Sequence, residues 1–209
     1  MARSATEQEP VSADFQSLAE LYRALEDEEQ EALAGFAEHV VPGEGPVGAP
    51  LMLVGEQPGD QEDLAGRPFV GPSGRLLDAC LKDAGIDRGK VFVTNAVKRF
   101  KFAPRGKRRL HQAPNAGDIK HYRWWLDKEI DLVGPTVIVS LGGTALRALT
   151  GKAALGPVRG RVLDHGDQKV LPTIHPSYLF RFREKSERDR ERQRFEQDLA
   201  SARELAAGK

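Results

Sequence analysis

Four short stretches carry side chains able to do chemistry. They are Gly55-Glu56-Gln57 at the start of GEQPGDQEDLAGRPFVG, Asn95 at the end of VFVTN, His111 at the end of KRRLH, and His175 in IHPS. The histidine in the basic run is the most pointed of these. A cationic loop alone grips phosphate, whereas an imidazole placed beside what is gripped acts on it as base or nucleophile. Residues 98–109, KRFKFAPRGKRR, hold seven cations and no acid. That run reads either as an electrostatic footprint for a polyanion or as a solvated charged loop. His175 precedes Pro176, which fixes the direction of the chain. It either donates a hydrogen bond to an oxygen that gains negative charge in a transition state or is a satisfied structural histidine.

The remaining polar residues read in the same two-sided way. Glycines allow the backbone of residues 55–71 to approach a ligand closely. Glu56, Gln57 and Asp60 are expected to face a crevice, unless they are solvated acids on a tight strand-to-helix turn. Phe69, between glycine-rich turns, either stacks on a planar ligand such as a base or plugs the core. Asn95 presents a donor and an acceptor side by side. That pair matches the O4 and N3–H edge of uracil and rejects cytosine, although strand-end asparagines also cap turns.

These groups meet only if the elements around them converge. Residues 12–40 are amphipathic at helical spacing, with Phe15, Leu18, Leu21, Tyr22 and Leu25 on one side. VPGEGPVGAP reads as a linker. Short apolar strands are expected at 51–55, 90–95 and 136–143, with a fourth strand region within 161–174. Helices are expected at 71–85, at 118–133 with an aspartate cap, at 144–151, and as a charged helix over 184–207. Residues 96–117 show neither period and read as a long loop, a feature that is usually functional. Strands alternating with helices predict an α/β three-layer sandwich around a four-stranded parallel sheet. Ligands bind such sheets outside the carboxyl ends of the strands, where GEQPG, Asn95, LGGTA and HPSYLFR all fall. A helical extension and linker are expected over 1–48 and the main domain over 49–209.

Composition narrows the classes. Lys+Arg and Asp+Glu balance at 31 each, so net charge announces no partner. One cysteine, Cys80, precludes an intrachain disulfide and a cysteine-rich metal site; it reads as a small buried residue of a helix. No apolar run is long enough for a membrane span and no signal-peptide core opens the chain. A cytoplasmic monomer with no membrane partner is expected. No G-x-G-x-x-G follows the first strand and no phosphate-loop lysine motif occurs, which disfavours a nucleotide-binding enzyme.

GEQPGDQEDLAGRPFVG, VFVTNAVK, KRRLH and IHPS, in that order, resemble the uracil-DNA glycosylase superfamily, and KRR-x-His resembles its UdgX type, related to family 4. The resemblance covers about residues 50–181. It implies that Phe69 stacks on an extruded uracil, that Asn95 reads its edge and that His175 binds O2. Gly55, Gln57 and Asp60 would line the uracil pocket, with Glu56 and Gln57 toward the sugar and Glu56 hydrogen-bonded to His111. Lys98, Lys107, Arg108, Arg109, Ser177 and Arg181 would contact DNA. It further implies cleavage of the glycosidic bond in uracil-containing, preferentially single-stranded DNA. His111 would then become covalently joined to the sugar C1′, as a single-turnover trap, with Glu56, Gln57, His111 and His175 as the catalytic set. The open alternative is a turnover enzyme that uses water. Relatives of this type carry a four-cysteine iron–sulfur cluster. Here the matching stretches, DFQSLAELYR and HYRWWL, hold no cysteine, so no cofactor and no metal are expected, with Tyr122, Trp124 and Trp125 packing in the cluster's place.

Overall fold

The computed structural model describes residues 14–28 and 35–208. Its central strands are short and largely apolar. β1 (Leu51–Gly55), β2 (Phe92–Asn95) and β5 (Val137–Leu141) are buried at every position, the mark of strands covered on both faces. The side chains alternate between those faces. Leu51, Leu53, Val93, Val137, Val139 and Leu171 enter one core, with α3 (Pro72–Asp83) and α6 (Lys185–Ala206) above it. Met52, Val54, Phe92, Ile138 and Val170 enter the other, under α4 (Ala116–Val133) and α5 (Gly143–Thr150). The result is the expected α/β/α sandwich. Cys80 is wholly buried in the first core, and burial pushes its thiol up to about 12.

The sheet runs β2-β1-β5-β7-β6, with β6 at Leu163–His165 and β7 at Gln168–Thr173. Four strands are parallel, and β6 adds a short antiparallel edge. The single strand expected within 161–174 is therefore a hairpin, turning at Gly166 with φ +57°. The loop expected over 96–117 also contains a hairpin. β3 (Phe102–Arg105) pairs antiparallel with β4 (Arg108–His111), placing His111 opposite Phe102. Gly106 makes the turn at φ +60°. A short helix, α2 (Asp60–Ala65), occupies part of the 55–71 turn. The cap of α4 is Asn115 rather than the aspartate; Asp118 closes the capping box from three residues on.

The long helix expected over 12–40 is α1 (Leu18–Glu28); residues 12–13 and 29–34 lie outside the described residues. From Gly35 the chain is extended. Ala37 donates to the carbonyl of Phe100 and Val41 to that of Lys98, both at 2.8 Å. Glu44 and Val93 exchange two backbone hydrogen bonds at 2.8 Å. A Cβ on Gly45 would lie 2.4 Å from the carbonyl oxygen of Val91, so glycine is what lets this stretch lie against β2. The expected linker is thus hydrogen-bonded to the sheet edge.

One buried ion pair ties these parts together. Lys98 and Glu129 meet at 2.5 Å with side chains 1% and 0% exposed. Thr94 donates to Glu129 at 3.0 Å, Tyr22 donates to the same carboxylate, and Gly43 N–H donates to the Tyr22 hydroxyl at 2.8 Å. Strand β2, helix α4, helix α1 and the 43–44 turn thus share one carboxylate. Burial pushes Lys98 below its ordinary value against the pull of Glu129. Breaking such a pair from one side leaves a buried charge without a partner. Glu129→Gln is expected to lose about 3–5 kcal/mol in urea unfolding. Replacing both partners, Lys98→Met with Glu129→Met, is expected to lose less than the single variant, because no charge is stranded.

Candidate active site

The carboxyl ends of the parallel strands open into a cavity of about 950 Å³ lined by Glu56, Gln57, Phe69, Asn95, His111 and His175, among others. Residues from four separate segments meet there because β1, β2, β5 and β7 all end on the same rim.

Gly55 permits the closest approach. A Cβ on it would lie 2.4 Å from Oδ1 of Asn95 and 2.6 Å from Cζ of Phe69. Any side chain at this strand end would push the amide and the ring apart. Phe69 has φ +56°, a left-handed backbone held by a non-glycine residue, which costs on the order of 1–3 kcal/mol. Its backbone is wedged against α3, where a Cβ on Gly74 would lie 1.6 Å from the Phe69 carbonyl oxygen. The ring belongs to the core and also walls the cavity. Its centroid lies 6.0 Å from that of His175, tilted by 31°.

His175 Nδ1 accepts from Ser177 N–H at 3.2 Å and lies 2.8 Å from Ser177 Oγ. A nitrogen that accepts a backbone N–H is unprotonated, so Nε2 carries the ring proton and remains a donor. Burial pushes His175 below the ordinary histidine range; nearby Glu56 opposes this and His111 adds to it. Glu56 Oε2 accepts from Thr144 Oγ1 at 2.6 Å, and Oε1 lies 3.3 Å from His111 Nε2. Burial would raise the Glu56 carboxyl, but the hydrogen bonds from His111 and Thr144 outweigh it and hold the group below the ordinary carboxylate value. An anionic carboxylate therefore sits against the imidazole of His111, and a neutral imidazole donor sits across the cavity.

The hairpin that carries His111 has no core of its own. It is fastened by side chains. The Gln57 amide donates to the carbonyls of Lys101 (3.3 Å) and Gln112 (3.1 Å) and accepts from Lys101 N–H (3.3 Å). Arg109 pairs with Asp60 at 2.7 Å and with Asp63, and lies 5.3 Å over the rings of both Phe100 and Phe102. His111 packs 6.2 Å from the Phe100 ring. Lys101 pairs with Asp118 at the hairpin base.

This geometry revises several expectations. Asp60 faces Arg109 and does not line the cavity. Gln57 lines it, but its amide is committed to the hairpin backbone. Lys98 is buried against Glu129 and meets no solvent-borne phosphate. Arg109 is turned inward by two carboxylates, which leaves Lys107 and Arg108 exposed near the hairpin tip. Ser177 and Arg181 do line the cavity. Thr144 and Asp63 escaped the sequence reading; the one visible trace was the LGGTA turn on the rim, and Asp63 lay unremarked among solvated acids.

Among the described residues, no helix is long and apolar enough to cross a membrane. Residues 42–200 match the model of the uracil DNA glycosylase superfamily. The type-4 uracil-DNA glycosylase of Thermotoga maritima is 40% identical over 148 residues, 69% of this chain and 73% of that protein. The type-4 uracil-DNA glycosylase of Pyrobaculum aerophilum is 35% identical over 173 residues, 78% of this chain and 85% of that protein.

The fastening of the hairpin can be tested acid by acid. The Asp63 side chain is 7% exposed and that of Asp60 is 49% exposed. An exposed ion pair contributes roughly 0–1 kcal/mol, whereas a stranded buried partner costs about 1–3 kcal/mol. Asp63→Ala is expected to speed amide hydrogen exchange across 102–111 by about tenfold or more, and Asp60→Ala by less than about fivefold, since 1.4 kcal/mol is tenfold.

Proposed function

The chain belongs to the uracil-DNA glycosylase superfamily, and from that premise we propose that it excises uracil from DNA and captures the exposed sugar carbon on His111, in the manner of the UdgX type. The observation that carries this reading is the pairing of His111 with Glu56 at 3.3 Å on the cavity wall. Phe69 stacks on the flipped base, Asn95 pairs with its O4 and N3–H edge, and His175 Nε2–H donates to O2. As the C1′–N1 bond breaks, its electron pair leaves with uracil, and the His175 donor stabilises the charge that reaches O2. The sugar is left with oxocarbenium character. The unprotonated nitrogen of the His111 ring supplies the lone pair that closes on C1′, and Glu56 balances the imidazolium that forms. Placement beside C1′ gives the imidazole an advantage over water equivalent to a large effective molarity.

The cost of base flipping supports a preference for single strands. Flipping a base out of a duplex costs a few kcal/mol that an unpaired base does not. Lys107 and Arg108, exposed near the hairpin tip, supply backbone contacts. The competing reading, water as nucleophile and true turnover, draws on the type-4 relatives being named glycosylases.

The two readings separate on a denaturing gel. Protein is mixed with a labelled single-stranded oligonucleotide holding one uracil and then boiled in detergent. A heat-stable shifted band, limited to one per protein and lost in His111→Ser, is expected. Alkali-cleavable product in excess of protein, with no shifted band, would establish turnover with water instead.

We also infer that this chain holds no iron–sulfur cluster. Its one thiol, on α3, is buried in the core between α3, α6 and the sheet. The stretches that match the cysteine-bearing segments are filled by Phe15, Tyr122, Trp124 and Trp125, with Phe15 stacked 6.0 Å from Trp125. Four thiolates have no counterpart there, and a cluster needs them. Protein purified without added metal is expected to be colourless and iron-free yet fully folded by circular dichroism; stoichiometric iron with visible absorption would overturn this.

A further inference from the structure

A second cavity, of about 580 Å³, shares Phe69 with the active-site cavity. It is lined by the turn from Arg67 to Val70 and by Glu44, Gly45 and Gly89, among others. On that side the turn faces open space, yet Phe69 holds a left-handed backbone. Such a residue persists only where its surroundings over-determine it. After Phe69, Gly71 N–H donates to Glu62 Oε1 at 2.8 Å and Arg75 donates to the Val70 carbonyl at 3.4 Å. Before Phe69, α2 ends at Gly66 with φ +64°, and Arg67 reaches Glu44. Its Nε and Nη2 donate to the two carboxylate oxygens at 3.0 and 2.8 Å. Two parallel bonds fix direction as well as distance, and the Arg67 hydrogen bond holds the Glu44 carboxyl below the ordinary carboxylate value. Pro68 stands between Arg67 and Phe69 with its φ locked, so few soft torsions separate the clasped residue from the strained one.

The other end of the clasp is set by β2. Glu44 and Val93 exchange two backbone hydrogen bonds at 2.8 Å, and Val93 lies two residues before Asn95. Close packing at Gly45 leaves this turn no slack, since a Cβ there would lie 2.6 Å from Cα of Phe92. A short path therefore runs from Phe69 through Arg67, Glu44 and Val93 to Asn95.

We propose that the Arg67–Glu44 pair is a positioning clasp, which sets the Phe69 ring at stacking distance from the base whose edge Asn95 reads. The inference rests on the uracil-DNA reading and adds two residues to it that touch neither base nor sugar. The pair is an unlikely prop for the fold as a whole. Its side chains are 64% and 39% exposed, and exposed pairs contribute little to global stability. What it can do is hold one strained turn in register with one strand.

The test is single-turnover release of uracil from a single-stranded oligonucleotide, with protein in excess and its concentration varied. Arg67→Ala, Glu44→Ala and the double variant are compared with wild type. Each single variant is expected to raise the half-saturating protein concentration about fivefold or more, the share of a stacked base. The rate at saturation is expected to change less, since lost stacking is lost binding rather than lost chemistry. The double variant is expected to be no weaker than either single, because both remove one clasp. Affinity for the same oligonucleotide with thymine, read by fluorescence anisotropy, and the thermal unfolding midpoint are expected to stay unchanged. Weaker binding of the thymine oligonucleotide in Arg67→Ala would make Arg67 a backbone contact and overturn the proposal. So would a lowered unfolding midpoint that accounts for the loss, or an unchanged half-saturating concentration. Wild-type protein that releases no uracil would instead overturn the reading beneath the proposal, and the proposal with it.

Discussion

The chemistry assigned to His111 depends on a hairpin that has no core. Two strands of four residues do not hold a position alone in water. What fixes β3–β4 is a set of polar tethers to elements that do belong to the core. The Gln57 amide grips both sides of the stem from just past the end of β1. Arg109 is clamped by α2 through Asp60 and Asp63, and its guanidinium lies over two rings of the hairpin stem. The imidazole is thereby set against Glu56, which is itself held by Thr144 at the start of α5. His111 is thus mounted on side-chain tethers, whereas Asn95 ends β2 and His175 follows β7 by two residues. A covalent trap needs the first to be as well placed as the second.

The basic run acquires a different meaning in this light. Of its cations, Lys98 is consumed by a buried carboxylate, Lys101 by Asp118 and Arg109 by α2. These charges are spent on carboxylates that place the hairpin. Lys107 and Arg108 remain exposed near the hairpin tip, and Arg181 and Arg194 line the cavity.

The layers of the fold were legible because the central strands are rich in apolar residues and the flanking helices have turn signals at their ends. The convergence on one rim followed from strand order alone. The β3–β4 hairpin was not legible, since its strands hold Pro104, three arginines and little apolar alternation, and one face is exposed. The extended path of 36–44 was hidden for a related reason. Phe36, Ala37, Val40 and Val41 are spaced as in a helix, yet their hydrogen bonds run to the hairpin stem and to the chain just past β2. Lys98 misled because a lysine in a cationic run reads as exposed, and its partner Glu129 lies 31 residues away. That Phe69, Asn95 and His175 line the cavity was legible, since each marks a strand end or turn on the rim.

The aromatic group around Tyr122 bears on the site through the same hairpin. None of Phe15, Tyr22, Phe36, Tyr122 and Trp125 lines the cavity. Their packing does hold the segment that starts at Gly35. That segment hydrogen-bonds the stem through Phe102 N–H to Gly35 and Ala37 N–H to Phe100, both at 2.8 Å, and Phe36 lies under Lys101 at 5.3 Å. Helix α1 reaches the hairpin along 35–41, and it reaches the end of β2 through Tyr22, Glu129 and Thr94, next to Asn95. The α1–α4 packing therefore supports both His111 and Asn95.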